Sequence, residues 1–176
     1  MRLCSFIDET LVCGIITETE AYKGPEDRAC HAYNNLRTKR TEVMFHNGGI
    51  CYVYLCYGIH SLLNVVTNKE GIPHAVLIRA LEPLLGQEMM EKRRGTSRNL
   101  TQGPGCVTSA LGIGLEHNGL SLKDKPIWIE KSLQYESQMR ESKIVASARI
   151  GVDYAGKDAH LPWRFNLVAG NLKHRI

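Results

Sequence analysis

Residues 15–34 read IITETEAYKGPEDRACHAYN, and they place two carboxylates in a stretch that otherwise reads as a buried strand. Strand side chains alternate between faces, so Ile16, Glu18, Glu20 and Tyr22 are expected on one face, with Ile15, Thr17, Thr19 and Ala21 on the other. At about 3.3 Å per residue, Glu18 and Glu20 sit roughly 7 Å apart along that face. Two readings stay open. The acids are ordinary out-facing residues of a wet sheet, or one of them overhangs a cleft and deprotonates a water.

A second group lies in CYVYLCYGIHSLLN. Seven tyrosines occur in the chain, and Tyr52, Tyr54 and Tyr57 fall within six residues. Tyr57 precedes Gly58 at an expected hairpin tip, where a core residue does not belong. An aromatic side chain there can wedge between stacked bases. Tyr54 and Tyr22 can form the walls of a flat slot, since aromatic faces stack on nucleobases. Asn64, inside LLNVV, is a buried amide that needs partners, either backbone or the edge of a ligand. Arg79, inside VLIRALEP, is a charge in an apolar strand. It requires either a carboxylate partner or an anionic ligand.

These residues need a scaffold. The chain has 176 residues and a 43% apolar fraction, enough for one domain with its own core. Strands are expected over 2–7 and 11–22, joined at DET as a hairpin. GGICYVYL and HSLLNVVT form a second hairpin around CYG. HAVLIRALE, PIWIE, VASARIGV and WRFNLV read as further strands. PLLGQEMMEKRR and the glycine-bounded GPGCVTSALGI read as helices. Residues 23–48 are polar and loop-rich, with a short helix near RTEVMF. Strands dominate without βαβ alternation, which predicts an α+β fold.

Composition narrows the function classes. The run of apolar residues needed for a membrane helix is absent, and MRLCSFIDET lacks the core of a signal peptide, so a soluble cytoplasmic protein is the expectation. The six cysteines have neither zinc-ligand spacing nor a CxxC pair and are expected as free thiols. The net charge of +4 is concentrated in LRTKRTE, EKRRGTSR and the terminal KHR, which suits a polyanion or a solvated helix face. TQGPGCVTS has no Walker lysine, and neither GxSxG nor HExxH occurs. No cofactor or metal is expected.

ITETEAYKGPEDRACHA, YVYLCYGIHSLLNVV, AVLIRALEP and ARIGVDYAG…WRF, in that order and spacing, resemble the alkyladenine (3-methyladenine) DNA glycosylases that lack a helix-hairpin-helix motif. The resemblance spans nearly the whole chain. It implies a single mixed domain over 1–176, with a curved antiparallel sheet, flanking helices and a hairpin that enters the DNA minor groove. It implies a monomer acting on double-stranded DNA in base excision repair. Such enzymes hydrolyse the N-glycosidic bond of 3-methyladenine, hypoxanthine or ethenoadenine without a metal, leaving an abasic site.

Carried over by residue, the resemblance makes Glu20 the general base and Arg79 the arginine beside the attacking water. Tyr22, His31 and Tyr54 hold the flipped base, Asn64 disfavours guanine, and Ile150 is an apolar contact near water and sugar. Tyr57 fills the hole left by the flipped nucleotide. Glu18 receives no catalytic role. Three departures stand out: Ile59 and His60 stand at positions that vary around the hairpin tip, Cys106 replaces a basic residue in the GPG loop, and the sequence begins almost at the first strand, where the resemblance leads one to expect a preceding helical segment. Two other readings compete: a non-catalytic nucleic-acid-binding module of the same fold, and a sugar glycosidase pairing Glu18 with Glu20. A glycosidase pair must flank a bond, whereas these two share a strand face.

Overall fold

The computed structural model describes residues 1–132 and 142–168. The basic tail Lys173, His174 and Arg175 lies outside the described residues. The first hairpin is as expected: β1 (Arg2–Ile7) turns at Asp8 and Glu9 into the long β2 (Thr10–Lys23). The second joins β3 (Cys51–Cys56) to β4 (His60–Val66). At its tip the Ile59 N–H donates to the Cys56 carbonyl, and Tyr57 and Gly58 both take positive φ, 50° and 73°. That is the type I′ pattern, which matches the twist of paired strands and favours glycine.

β5 (His74–Leu85) runs three residues further than HAVLIRALE suggested. Pro83–Leu85, expected in a helix, continue the strand beside Cys13 and Gly14, and α1 (Gln87–Arg94) begins only after Gly86. Helix α2 (Pro104–Leu111) starts on a proline, whose fixed φ suits the first turn, and ends at left-handed Gly112. β6 (Ile127–Glu130), β7 (Lys143–Ser147) and β8 (Arg164–Val168) complete the set. VASARIGV is therefore only partly strand, because residues 148–152 leave the sheet. A 3₁₀ segment follows over Asp153–His160.

All strands belong to one antiparallel sheet, ordered β3-β4-β5-β2-β1-β6, with β8 pairing both β2 and β7. The sheet forks at β2. Its first half pairs with β1, and Glu18–Glu20 pair with β8 instead. Two bulges mark the fork. Against β5, Thr17 is the extra residue of β2, and Arg79 is the extra residue of β5. Bulges bend a strand and re-aim its side chains. Here the first one breaks the alternation read from sequence. Ile16 lines an apolar groove with Thr19, Val76 and Ile78 on the opposite face from Glu18 and Glu20.

Each face of the sheet carries its own core. On one, Leu3, Val12, Leu63, Ile78 and Leu81 pack against Met90, Val107 and Leu111 of the two helices. Each such fully buried side chain stabilises the fold by about 1.5–3 kcal/mol. On the other, Tyr52, Val66 and Ala75 pack under the loop residues Cys30, Ala32, Met44 and Phe45. The loop-covered face is the one that holds Glu20 and Tyr22. Among the described residues no helix is long and apolar enough to cross a membrane. All six cysteines are free.

Candidate active site

Glu20 is flanked by β5 on one side and β8 on the other, so it lies inside the sheet rather than at an edge. Its exposure is 0%, which rules out the wet-surface reading for this residue. A buried carboxylate needs donors. The Ile150 backbone N–H donates to Oε1 at 2.8 Å, and the Tyr22 hydroxyl donates to Oε2 at 2.8 Å. Arg79 Nη1 stands 3.3 Å from Oε2, while its Nε donates to Glu18 Oε1 at 2.9 Å. One guanidinium thus binds both acids, and Arg164 adds a second cation at Glu18, 3.4 Å away. Glu18 and Glu20 do not flank a substrate bond; they share Arg79. Among the described residues, Oε2 of Glu20 is met by two donors and Oε1 by one, which leaves one lone pair of Oε1 unengaged by them.

In front of this carboxylate is a cavity of about 440 Å³. Tyr22, His31, Tyr54, Asn64, Arg79 and Ile150 all line it, and Tyr57 stands at its rim. The eight residues singled out from sequence, with Glu20 behind Tyr22 and Arg79, therefore converge on one place. Tyr22 has its hydroxyl pKa raised, first by burial and then by the adjacent Glu20 charge. It is a donor here and not a phenolate. Tyr54 is likewise pushed up, mainly by burial.

His31 is fixed on three sides. Its ring meets Tyr54 edge-on, with centroids 4.6 Å apart. Nδ1 lies 2.9 Å from the Tyr52 hydroxyl, and Nε2 lies 2.9 Å from Arg40 Nη2. A guanidinium can only donate, so Nε2 accepts and the ring proton sits on Nδ1, donated to Tyr52. Burial and then the Arg40 charge lower the His31 pKa to about 4. The same Arg40 lies over the Tyr54 ring, 4.9 Å from its centroid. Asn64 is buried as expected, and its Nδ2 donates to the Tyr52 carbonyl at 3.2 Å. That contact fixes the amide orientation and leaves Oδ1 for a ligand.

Tyr57 is 91% exposed and its neighbour Ile59 73% exposed. The hairpin tip carries two large apolar side chains into solvent, a costly placement for a monomer's surface unless a partner covers them.

The sequence reading named Tyr52 without giving it a role, and it missed Arg40, which with Tyr52 holds His31, and Tyr154, which lines the rim. It also missed the fully buried ion pair of Asp27 with Arg149. Arg149 lies in VASARIGV and carries the signal used for Arg79, a charge in an apolar run. Asp27 lies in a polar loop and gives no such signal. Among the described residues no group of three or more His, Cys, Asp or Glu side chains is placed to hold a metal ion.

Comparisons with known proteins place the chain in a family. The family model for methylpurine-DNA glycosylase (MPG) matches residues 1–171. A protein of Chlamydia pneumoniae named "Putative 3-methyladenine DNA glycosylase" is 48% identical over 170 residues, covering 94% of this chain and 84% of its own. A Bacillus cereus protein (strain ATCC 10987 / NRS 248) of the same name is 45% identical over 172 residues, covering 93% and 84%. With a match of that extent on a site of this construction, the chain belongs to the methylpurine-DNA glycosylase family.

Proposed function

We propose that this protein flips an alkylated or deaminated purine out of duplex DNA and hydrolyses its N-glycosidic bond with a water activated by Glu20. The substrates would be 3-methyladenine, hypoxanthine and ethenoadenine, and the product an abasic site. The observation that carries the reading is the state of Glu20. It is fully buried behind Tyr22 and Arg79 of an aromatic cavity and met by three donors, and among the described residues one lone pair of Oε1 is unengaged.

N-glycosidic cleavage builds positive charge on the sugar as the bond to the base lengthens. A fixed anion beside C1′ stabilises that charge more than it stabilises the neutral ground state. Glu20 supplies the anion, and its open lone pair accepts a proton as water attacks. The three donors hold the carboxylate still, so little reorganisation accompanies the reaction. Arg79 keeps the adjacent acids from repelling one another and faces the cavity, where it can orient the water. One carboxylate suffices for an alkylated base, which departs readily. A neutral purine needs protonation as well.

Tyr22 and Tyr54 offer stacking faces, and base–aromatic stacking contributes about 1–3 kcal/mol per base. This offsets the few kcal/mol needed to unstack the nucleotide, a cost lowest for damaged or mispaired bases. Both ring nitrogens of His31 are engaged, so the base meets its ring as a wall while Arg40 stays in place. Asn64 Oδ1 favours a purine edge that donates, and the crowding of its amide disfavours the amino group of guanine. Tyr57 enters the minor groove and fills the space that the flipped nucleotide leaves. The protein would act as a monomer in the cytoplasm.

The test is single-turnover excision on duplexes carrying each lesion. Release of free base with an abasic product is expected. Tight lesion binding without release of any base would instead favour a binding module, which keeps the hairpin and cavity and lacks the chemistry.

A further inference from the structure

The Asp27–Arg149 pair lies behind the cavity, and neither side chain has any solvent exposure. Arg149 Nη2 donates to Asp27 Oδ1 at 2.8 Å, and Nη1 donates to Oδ2, so the contact is a two-pronged fork. Nη1 also donates to the Ala21 carbonyl at 2.9 Å, and Nη2 to the Asp158 carbonyl at 3.2 Å. The guanidinium lies over two aromatic rings, 4.8 Å from the Tyr22 centroid and 5.2 Å from that of Trp163. Asp27 in turn accepts from the Ala29 N–H at 3.0 Å, fixing the turn that leads to His31.

Replacing a buried ion pair with apolar residues of similar size is often neutral for stability or better, so stability alone is a weak account of this one. Its connections give a better account. Ala21 stands between Glu20 and Tyr22 in β2. Tyr22 packs on one face of the guanidinium and donates to Glu20. Ile150, the next residue after Arg149, gives its N–H to Glu20 Oε1. Arg149 does not touch Glu20, yet it anchors both groups that do so from outside β5.

We infer that the Asp27–Arg149 pair is the positioning element of the Glu20 carboxylate. It presses the Ile150 N–H onto Oε1 and the Tyr22 hydroxyl onto Oε2, which holds the carboxylate in one orientation beside the cavity. This rests on the reading of Glu20 as the base. The two residues are positioning residues, acting through Ile150 and Tyr22. Arg149→Lys keeps the charge and loses the fork, while Asp27→Asn keeps the shape and loses the charge.

Two measurements test this, and one needs no enzyme activity. In amide hydrogen exchange, the Ile150 N–H of the wild type should be protected, since it donates to the buried Glu20. In Arg149→Lys and in Asp27→Asn it should exchange on the order of tenfold faster or more, while the amides of β3 and β4 keep their protection. In single-turnover excision, both variants should lose on the order of tenfold to a hundredfold in rate. The loss should be equal for every lesion, because water activation is common to all, and lesion-duplex affinity should stay within about twofold of the wild type. Unchanged Ile150 protection in either variant overturns the inference. So does a rate loss matched by equal losses of affinity and of folded protein, the mark of a merely structural pair. Excision absent from the wild type would defeat the reading of Glu20 instead, with Ile150 exchange still deciding whether the pair positions the carboxylate.

Discussion

The surroundings of Glu20 and the hairpin tip at Tyr57 border one cavity and are built in opposite ways. Around Glu20 every charged side chain has a partner: Arg79 with both acids, Arg164 with Glu18, Arg149 with Asp27. At the tip Tyr57 is 91% exposed on a three-residue turn. The first region is finished before any DNA arrives. The second leaves its large side chains, Tyr57 and Ile59, uncovered. This division suits the proposed reaction, in which the charge on the sugar must meet a dipole field already in place. A side chain that fills a vacated base position must be free to enter the helix.

The contrast can be broken at several points. The largest effect is expected from Glu20→Gln, which removes the anion and the proton acceptor while keeping the side chain's shape. Excision should fall about 10²–10⁴-fold, with lesion-duplex binding retained, as measured by single-turnover kinetics beside equilibrium titration. Arg79→Met leaves Glu20 buried without a cationic partner and takes one from Glu18. Breaking one side of a buried ion pair costs about 3–5 kcal/mol, which urea unfolding would show as a lower midpoint. If stability were unchanged, the region would not be the tight network described.

Tyr57→Ala should do the reverse. Stability should change by no more than about 0.5 kcal/mol, since the side chain touches so little of the fold. Flipping, read with a fluorescent base analogue, should weaken by about 1–3 kcal/mol, the scale of one lost aromatic stacking contact. The salt dependence of non-specific binding should not change, because no phosphate contact is removed. Equal losses in flipping and non-specific binding would argue against the wedge.

The effect that is smallest at neutral pH concerns His31. Its pKa drops from the ordinary 6.5 to about 4 on folding. Between those values the unfolded chain binds a proton that the folded one does not. His31 therefore lowers stability as pH falls from about 6.5 to 4 and has no such effect at neutral pH. His31→Gln should flatten that part of the stability–pH curve, measured by thermal unfolding at pH 7, 5.5 and 4.5. Identical curves would mean that His31 is not held neutral by Arg40 and burial.

Much of this was legible from local patterns. Alternation put Glu18, Glu20 and Tyr22 on one face, and the CYG turn put Tyr57 at a tip. Asn64 and Arg79 stood out as polar residues in apolar strands. Other features depend on distant pairings that local patterns do not encode. Glu20 is buried because β8, some 140 residues later in the chain, pairs beside it at Arg164. Ile16 changes face because Thr17 is bulged where β2 exchanges β1 for β8. Pro83–Leu85 stay in the sheet because Cys13 and Gly14 lie alongside. Asp27 looked like any loop acid until the fold brought Arg149 to it. Periodicity alone could not choose between Glu18 and Glu20. In the structure Glu18 has two arginine partners, whereas Glu20 accepts from Tyr22 and Ile150, which both line the cavity.

The central claim is that the fully buried Glu20 activates the water that cleaves the glycosidic bond. The most direct test is single-turnover excision by wild type and Glu20→Gln on one set of duplexes carrying ethenoadenine, hypoxanthine or 3-methyladenine, with lesion binding measured in parallel. Free base and an abasic site are expected from the wild type, and binding without release from the variant. Undiminished release by Glu20→Gln would contradict the claim.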